Sequence, residues 1–521
     1  MNLLQHIILP KNSIYAKDVR SYLKASEKVR LTHDVLNMPA YQTVDFDTYF
    51  NYFDSKKWLD FGQIDSLFVK GGICGVALLE IVGVKRFGNR HHQSLVYSTE
   101  VGCSGKWIDF VEDIRDFQDY EALFVRICTL EEHCQVQSLA FGTYTPAKRQ
   151  VKLGICFIDG WSQKVYDEIA QLSNSNALEV QIFGRTEQLQ PLSQIHSLIE
   201  QIKSIKESDR THILSISTQD FVSAECVFRA FRFFEMVFAE RQDVVVSGEG
   251  ISAFDESDWA LLNQLSSVLK GGSKNYSFDW RFCAFNKLVF QAYGLPLPLS
   301  LPQAASEYQS RIYKEIVPIN GVAFYRDMQT KPSLIQMEYY HIRDELIEEL
   351  LKSNPSLETL KSLVWDRFWH NIHTYHYVAA RLNLYALDHI TKGVYKADAQ
   401  DIERYVNNLY AKENKFTRHR QVTQSDLTKT VMDKTLLNVI RPYVGLGRPA
   451  VLSDRADSKQ FVGRNHVLIA DGHGGAEVAR IRRKKLGLLV RHATKSYANF
   501  IKNYHKIRND LLEYRNDNKQ Y

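Results

Sequence analysis

The sequence predicts a multidomain α/β protein built from three successive regions. Short strand-like segments fill residues 1–150, strand and helix patterns alternate over 151–345, and helical periodicity dominates 346–521. A chain of 521 residues is long enough for several domains that each bury a hydrophobic core. Hydrophobic residues make up 45% and charged residues 24% of the chain, the usual composition of a globular protein in water.

The first region has the pattern of antiparallel strands. Its apolar segments are short, lie roughly 10–15 residues apart and are separated by Gly, Asn or charged residues. The clearest of these segments are 66–70, 75–84, 94–98 and 135–141. This spacing is too tight for strands joined by crossover helices and favours a β-sandwich over 1–150.

The second region alternates strands with helices, which predicts a mostly parallel sheet with crossover connections. Strands are predicted over 151–158, 178–183, 213–216 and 243–247, and helices over 163–172 and 193–205. The Pro-rich segment 294–302 is predicted to be a loop.

The third region is predicted to be helical and to end in a basic amphipathic tail. Its helical patterns cover 345–351, 357–387, 399–410 and 427–439. Residues 476–521 hold twelve Lys and Arg against four Asp and Glu, a net charge of +8, so the preceding residues sum to −3. The tail therefore favours an acidic protein surface or an anionic membrane surface. It contains no recognisable nucleic-acid-binding module.

Several other classes of protein are disfavoured. The seven cysteines are scattered and never form a CxxC pair, which favours a reducing cytosol over a disulfide framework or a zinc site. The amino terminus has no basic segment with a cleavage site, so we expect no signal peptide, and no apolar run reaches ~20 residues. Phosphate-loop, dinucleotide-binding and hydrolase-elbow motifs do not occur.

Two short motifs are better explained by structure than by metal binding. Asp471-Gly-His-Gly-Gly475 resembles the metal-binding motif of metal-dependent serine/threonine phosphatases, but only 46 residues follow it, so a glycine-rich turn is favoured. His370, His373 and His376 are the second candidate. The first and last of them lie about 120° apart on a helix and do not converge on one ion, which favours helix packing.

Several longer stretches, in order along the chain, carry a family resemblance. They are TYFNYFDSKKW at 48–58, DWRFC at 279–283, YGLPLP at 293–298, EYQSR at 307–311, YYHIRD at 339–344 and the helical segment 375–393. Together they resemble polymerising galactofuranosyltransferases, a branch of glycosyltransferase family 2. The resemblance implies a GT-A-like central domain over 151–345 and a helical domain through which related enzymes assemble. It also implies a sugar-nucleotide cleft lined by Asp159, Trp280, Glu307, Tyr308 and Arg311.

The catalytic positions that this resemblance implies are occupied by uncharged residues. The family's metal-binding aspartates fall on Ser217, Thr218 and Gln219, and its two acids near the acceptor fall on Ala304 and Ala305. Its metal-ligand histidine falls near 324–325, its uridine-contacting aspartate near Ile182, and its diphosphate loop on 191–196. A divalent cation prefers carboxylate oxygens, and the acceptor hydroxyl needs a base.

A few acids remain that a rearranged site could use. Asp220, one residue beyond the triplet, is the nearest, although it could instead cap the helix that follows. Glu225, Asp255 and Asp258 are further candidates for recruitment.

The sequence therefore predicts a galactofuranosyltransferase-like protein of surface-polysaccharide assembly that is catalytically inactive and needs no cofactor. It would act as a scaffold, regulator or glycan-binding subunit beside an active paralogue or a second copy of itself, bound through the helical domain. It would be cytoplasmic, with 476–521 at the inner membrane face. The alternatives are an active transferase that uses a UDP-sugar with Mg²⁺ or Mn²⁺ or without a metal, and an adaptor with no sugar affinity.

Overall fold

The computed structural model divides the chain into two compact units, which are described separately. Unit 1 comprises 1–190, 194–295 and 308–330, and unit 2 comprises 191–193, 296–307 and 331–521. The residues described are 2–7, 26, 28–32, 35–62, 64–88, 90–102, 107–111, 119–185, 191–238, 241, 244–252, 269, 278–312, 315–326, 333–373, 377–393, 404, 406–408, 420–421, 450–452, 466–470, 476–480 and 483–517.

The amino-terminal part of unit 1 consists of two antiparallel sheets, as the strand spacing predicts. Its strands are β1 (Asn2–His6), β2 (Arg30–Thr32), β3 (Val35–Met38), β4 (Thr43–Asp45), β5 (Leu67–Cys74), β6 (Ala77–Phe87), β7 (Arg90–Val101), β8 (Trp107–Val111), β9 (Ala122–Thr129) and β10 (Cys134–Thr143), with helix α1 (Ser55–Phe61) between β4 and β5. One sheet has the order β2-β3-β10-β5-β8, with β1 also paired to β10, and the other has the order β4-β9-β6-β7. Buried apolar residues of both sheets belong to one hydrophobic cluster.

Two local features set the geometry of this part. The aromatic residues of the 48–58 stretch are buried, and the rings of Phe53 and Trp58 stack 5.8 Å apart, so this motif forms core rather than surface. Gly75 has φ +99° in the turn between β5 and β6, where a Cβ would strike the carbonyl oxygen of His133. The strand predicted over 75–84 therefore begins at Ala77, as β6, rather than at residue 75.

The rest of unit 1 contains a six-stranded sheet. Its elements are β11 (Leu153–Phe157), α2 (Gln163–Ser175), β12 (Val180–Phe183), α3 (Pro191–Glu207), β13 (His212–Ile216), α4 (Ala224–Met236), β14 (Val245–Ser252), β15 (Phe282–Asn286), α5 (Leu288–Tyr293), α6 (Leu301–Ile312) and β16 (Ile316–Arg326). The first residues of α3 and α6, 191–193 and 301–307, are counted with unit 2. The strand order is β12-β11-β13-β15-β14-β16. β11 pairs in parallel with β12 and β13, as the alternation of strands and helices predicts, whereas β15 is antiparallel to β13 and β14.

A buried polar cluster joins α4 to β1 and β16 within unit 1. Arg229 donates from Nε to Glu225 Oε1 at 2.9 Å and from Nη2 to the carbonyl oxygens of His6 at 2.8 Å and Phe50 at 2.7 Å. Its Nη1 donates to the carbonyl oxygen of Asn320 at 2.8 Å, and His6 Nδ1 lies 2.7 Å from Glu225 Oε2. We call His6, Glu225 and Arg229, with the carbonyls they hold, the Arg229 cluster.

Unit 2 contains helices and a small sheet, so the prediction that 346–521 is helical is wrong in part. A π-helical turn (Gln336–Tyr340) leads into α7 (His341–Leu351), followed by α8 (Leu357–Lys361), a second π-helical turn (Ser362–Asp366), α9 (Arg367–His373) and α10 (Tyr377–Thr391). Four strands follow, β17 (Arg420–Gln421), β18 (Ala450–Leu452), β19 (His466–Ala470) and β20 (Ala476–Arg480), in the order β17-β20-β19-β18, and α11 (Arg483–Asp517) ends the series. The predicted helix over 427–439 lies outside the described residues.

The helical pattern of the basic amphipathic tail is confirmed over 490–511, and the structure adds two features that the pattern did not predict. Its first residues form β20, and its helix α11 packs its apolar face into unit 2, with Leu489, Ala493 and Phe500 buried. His492 Nε2 also lies 2.8 Å from Asp388 Oδ2 on α10. Among the described residues, no helix is both long and apolar enough to cross a membrane.

The predicted loop over 294–302 is shorter in the structure, because α6 begins at Leu301. Pro302 occupies the first turn of that helix, where its missing N–H costs no hydrogen bond.

Candidate functional site

The candidate site lies at one edge of the six-stranded sheet in unit 1. Asp159 follows β11, and residues 217–220 follow β13, at the carboxyl ends of two adjacent parallel strands. Arg281 immediately precedes the antiparallel β15 and reaches the same edge, because Ile216 pairs with Phe282. Ligands of open α/β sheets bind at the carboxyl ends of the strands, so this edge is where a donor site is expected.

Asp159 is buried and its carboxylate is held by groups of the protein itself. Its Oδ2 accepts a very short hydrogen bond from Ser217 Oγ and a bond of 3.3 Å from the backbone N of Gln219. Its Oδ1 accepts from Gln194 Nε2 at 2.8 Å. Burial raises the pKa of Asp159, and these hydrogen bonds oppose that rise. Both oxygens are therefore used within the protein.

Asp220 is the second carboxyl at this edge. Its backbone N donates to Ser217 Oγ at 3.0 Å, and its carbonyl oxygen accepts from the backbone N of Tyr325 at 2.8 Å. One carboxylate oxygen lies 4.0 Å from Arg281 Nη1, and the side chain is 21% exposed. Burial raises the pKa of Asp220 to about 6, although the Arg281 charge lowers it. Asp220 therefore titrates close to neutral pH.

Arg281 supplies a permanent positive charge at this edge. Its Nε and Nη2 donate to the two carboxylate oxygens of Asp279 at 3.0 and 2.7 Å, a bidentate pair that fixes the guanidinium. The guanidinium also lies 5.0 Å from the centre of the Phe324 ring. Both residues of this pair lie in the DWRFC stretch at 279–283. An Asp two positions before an Arg is the sequence signal that could have predicted the pair, and it was overlooked.

The residues at this edge do not fit a divalent cation. Ser217, Thr218 and Gln219 offer no carboxylate, and both oxygens of the Asp159 carboxylate already accept hydrogen bonds from the protein. Across the described part of the chain, no group of three His, Cys, Asp or Glu side chains is arranged to hold a metal.

The other candidate acids have different roles or lie outside the described residues. The helix N-cap is Ser223, whose side chain accepts from the backbone N of Glu225, so the interpretation of Asp220 as the cap of α4 is wrong. The Glu225 carboxylate belongs to the Arg229 cluster and is 2% exposed. Asp255 and Asp258 lie outside the described residues, as does the 471–475 motif.

Three of the residues expected to line the cleft lie in the interior of unit 1. The rings of Trp280 and Tyr308 are 5.3 Å apart, and both side chains have no exposed surface. Tyr308 Oη donates to the carbonyl oxygen of Gly294 at 3.0 Å, and Arg311 donates to the carbonyl oxygens of Tyr293 and Leu295 at 2.9 and 3.0 Å. These side chains fix the 293–298 segment and do not meet Asp159.

The remaining aligned positions are buried or helical. Ala304, Ala305 and Glu307 are buried on α6 and are counted with unit 2. The segment 191–196 forms the first turns of α3 rather than a loop. His370 lies on α9, and His376 lies outside the described residues.

Comparison with known proteins supports the resemblance at the amino-terminal end. Residues 4–143 match the family model described as galactofuranosyltransferase 2 N-terminal, which supports a galactofuranosyltransferase-like family and suggests a glycosyltransferase-like role. This match contains the 48–58 stretch. No curated protein matches the chain.

Two solved structures from Clostridium thermocellum show weak similarity. One contains the CBM22-1 and GH10 modules of endo-1,4-β-D-xylanase 10B with xylohexaose, at 12% identity and a TM-score of 0.17, over 33% of this chain and 36% of that one. The other is a family two carbohydrate esterase with cellohexaose, at 11% identity and a TM-score of 0.14, over 32% of this chain and 51% of that one. The alignments span about half or less of those chains, and such low TM-scores carry no argument about fold or function.

Proposed function

We propose that this chain is a galactofuranosyltransferase-like glycosyltransferase homologue of family 2 that has lost metal-dependent transfer. It has a β-sandwich followed by a GT-A-like domain, and it serves surface-polysaccharide assembly as a scaffold, regulator or glycan-binding subunit. The observation that carries the proposal is the set of groups at the sheet edge. Both carboxylate oxygens of Asp159 accept hydrogen bonds, from Ser217 and Gln194, and Ser217, Thr218 and Gln219 offer a cation no carboxylate.

Calorimetry on the full chain tests this proposal. We expect UDP with Mn²⁺ to bind no more tightly than millimolar, and Mn²⁺ to leave UDP affinity unchanged. Metal-dependent binding at micromolar concentration, or turnover of UDP-galactofuranose, would overturn it.

The scaffold role is tested by measuring the length of the glycan that an active paralogue makes with and without this chain. Equal lengths would contradict that role.

An active enzyme without a metal is the second candidate, and Asp220 is the observation that favours it. This carboxyl is partly exposed, has a pKa of about 6 and lies beside a fixed guanidinium. A base with that pKa is deprotonated above about pH 6, so turnover would rise through that pH and stop in Asp220→Asn. The matched control is Asp167→Asn, because Asp167 hydrogen-bonds only to exposed Gln163 on α2.

A membrane surface remains a proposed partner of α11. Because Leu489 and Phe500 are buried in unit 2, any contact would be electrostatic and would use the exposed face that carries Arg491, Lys495 and Lys502. Flotation with anionic liposomes should show binding at low salt that is lost at high salt. Absence of binding at low salt would remove this proposal, together with the placement at the inner membrane face.

Assembly with a second copy through the helical unit predicts a dimer or larger species in light scattering.

A further inference from the structure

A cavity in the amino-terminal part of unit 1 is lined by basic side chains. The cavity has a volume of about 390 Å³ and is lined by Lys28, Arg30, Asn37, Pro39 and His133. It lies at one end of the first sheet, where Arg30 begins β2, Pro39 follows β3 and His133 precedes β10. Its volume is within the range of small-ligand sites.

The described part of the chain offers no counter-charge to the basic side chains of this cavity. Within the described residues, no ion pair involves Lys28, Arg30 or His133, and no lining residue is acidic. Glu131 and Glu132 precede His133 in the turn before β10 and are exposed, but they do not line the cavity. Converging positive charge of this kind attracts an anionic group and loses little desolvation energy in a shallow, open cavity.

A second cavity of similar size shows what a neutralised lining looks like. It measures about 370 Å³ and is lined by Lys56, Arg86, Gly88, Asp119, Tyr120 and Glu121. There Arg86 lies 3.7 Å from Glu121, and Lys85 lies 3.4 Å from Asp119. The two basic residues that line this paired cavity, Lys56 and Arg86, are matched by two acidic ones, Asp119 and Glu121, so its lining has no net charge to attract an anion.

An exposed aromatic residue follows Pro39, one of the residues that line the basic cavity. Tyr41, two residues beyond Pro39, is 74% exposed and has φ +57°, a left-handed backbone that a bulky residue seldom adopts. Its backbone N donates to the carbonyl oxygen of Leu130 at 3.0 Å, and Thr129 Oγ1 donates to that of Pro39 at 2.6 Å. These bonds hold the Pro39 loop against the turn that carries His133.

We infer that this cavity binds a saccharide carrying a negative charge, a carboxylate or a phosphate. Lys28, Arg30 and His133 contact the anionic group, and the Tyr41 ring packs on the apolar face of the sugar. The anionic part of this inference rests on the charges alone, whereas the choice of a saccharide rests on the proposed function. The glycan would then be held far along the chain from the 217–220 segment, by residues that the sheet-edge site does not use.

Saturation-transfer NMR on the full chain tests the inference with glucuronate, glucose 6-phosphate, glucose and UMP. We expect signals from both charged sugars and a signal from glucose that is about fivefold weaker or absent. The double variant Lys28→Gln, Arg30→Gln should weaken charged-sugar binding by about fivefold. Tyr41→Asn, which keeps a residue that tolerates positive φ, should reduce saturation of the ring protons.

The matched control is Arg86→Gln, which changes a charge in the paired cavity and should leave charged-sugar binding unchanged. Equal signals from glucose and glucuronate, or an unchanged double variant, would overturn the inference. A stronger signal from UMP would assign the cavity to a nucleotide and also overturn it. Differences between glucuronate and glucose 6-phosphate separate a carboxylate ligand from a phosphate ligand. UDP calorimetry at the sheet edge involves none of these residues, so failure here is distinguishable from failure of the proposed function.

Discussion

Replacing Arg229 with methionine removes the one guanidinium that joins α4 to β1, to Phe50 and to β16. Arg229 is 1% exposed and donates four hydrogen bonds, one to Glu225 and three to backbone carbonyl oxygens. Methionine fills much of the same volume but donates no hydrogen bond. The substitution therefore tests the polar contacts rather than the packing.

The expected loss of stability is large because the substitution leaves several buried polar groups without their hydrogen-bond partner. Removing one partner of a buried ion pair costs about 3–5 kcal/mol, and each unsatisfied carbonyl adds to the penalty. Burial raises the pKa of Glu225, but the charges of His6 and Arg229 outweigh that effect and hold the pKa below its usual range. We therefore expect Arg229→Met to lower the free energy of unfolding of unit 1 by at least about 3 kcal/mol at pH 7.

Urea unfolding followed by circular dichroism measures this loss. The control is Arg241→Met, which breaks an exposed pair with Glu315 and should cost at most about 1 kcal/mol. In the double variant Glu225→Gln, Arg229→Met, the loss should be smaller than the sum of the single losses, because the stranded charge is gone. A loss within 1 kcal/mol of the control would refute the reasoning, since it would mean that the cluster contributes no more than an exposed pair.

Three further predictions concern other parts of the chain. Burial raises the pKa of Glu168 to about 7, so the stability that its protonated side chain contributes is lost as pH rises from about 4.5 through 7. Glu168→Gln should therefore raise the melting temperature at pH 8 and leave it unchanged at pH 4. Equal shifts of the melting temperature at both pH values would contradict this prediction. Gly321 has φ +72°, and a Cβ there would meet the Arg229 guanidinium, so Gly321→Ala should destabilise unit 1 by more than about 1 kcal/mol in urea unfolding. Phe500→Ala should cost unit 2 about 3 kcal/mol and expose α11 to protease, whereas the exposed control Lys502→Gln should match the parent in both assays.

Sequence patterns were sufficient where burial repeats with a regular period. The predicted helix 163–172 lies within α2, which ends at Ser175, and the predicted strand 213–216 lies within β13. These elements are buried, so their hydrophobic pattern is fixed by the core and can be recognised in the sequence. The antiparallel direction of β15 leaves no such mark, because a buried strand has the same composition in either direction.

The errors occurred where local signals compete or where charge is paired through space. His466–Ala470 and Ala476–Arg480 are short strands on either side of a glycine-rich segment, and the sequence predicted only the turn between them and the basic helix after them. Ser223 caps α4 although Asp220 is an equally good cap by residue type, because Asp220 lies too early in the turn. The pairing of Arg281 with Asp279 depends on the start of β15, which the pattern did not locate.

The uncharged residues at 217–219 and the presence of Arg281 are two parts of one arrangement. A buried carboxylate such as Asp159 is costly unless hydrogen bonds or a cation compensate it. Ser217 and Gln194 provide the hydrogen bonds, and Arg281, fixed by Asp279, provides the charge. Adding an aspartate at 217 would remove the Ser217 hydrogen bond and place another carboxylate near Asp159. Building a metal site here would therefore require more than one substitution, which is why we regard this edge as a stable structural element rather than a site with one missing ligand.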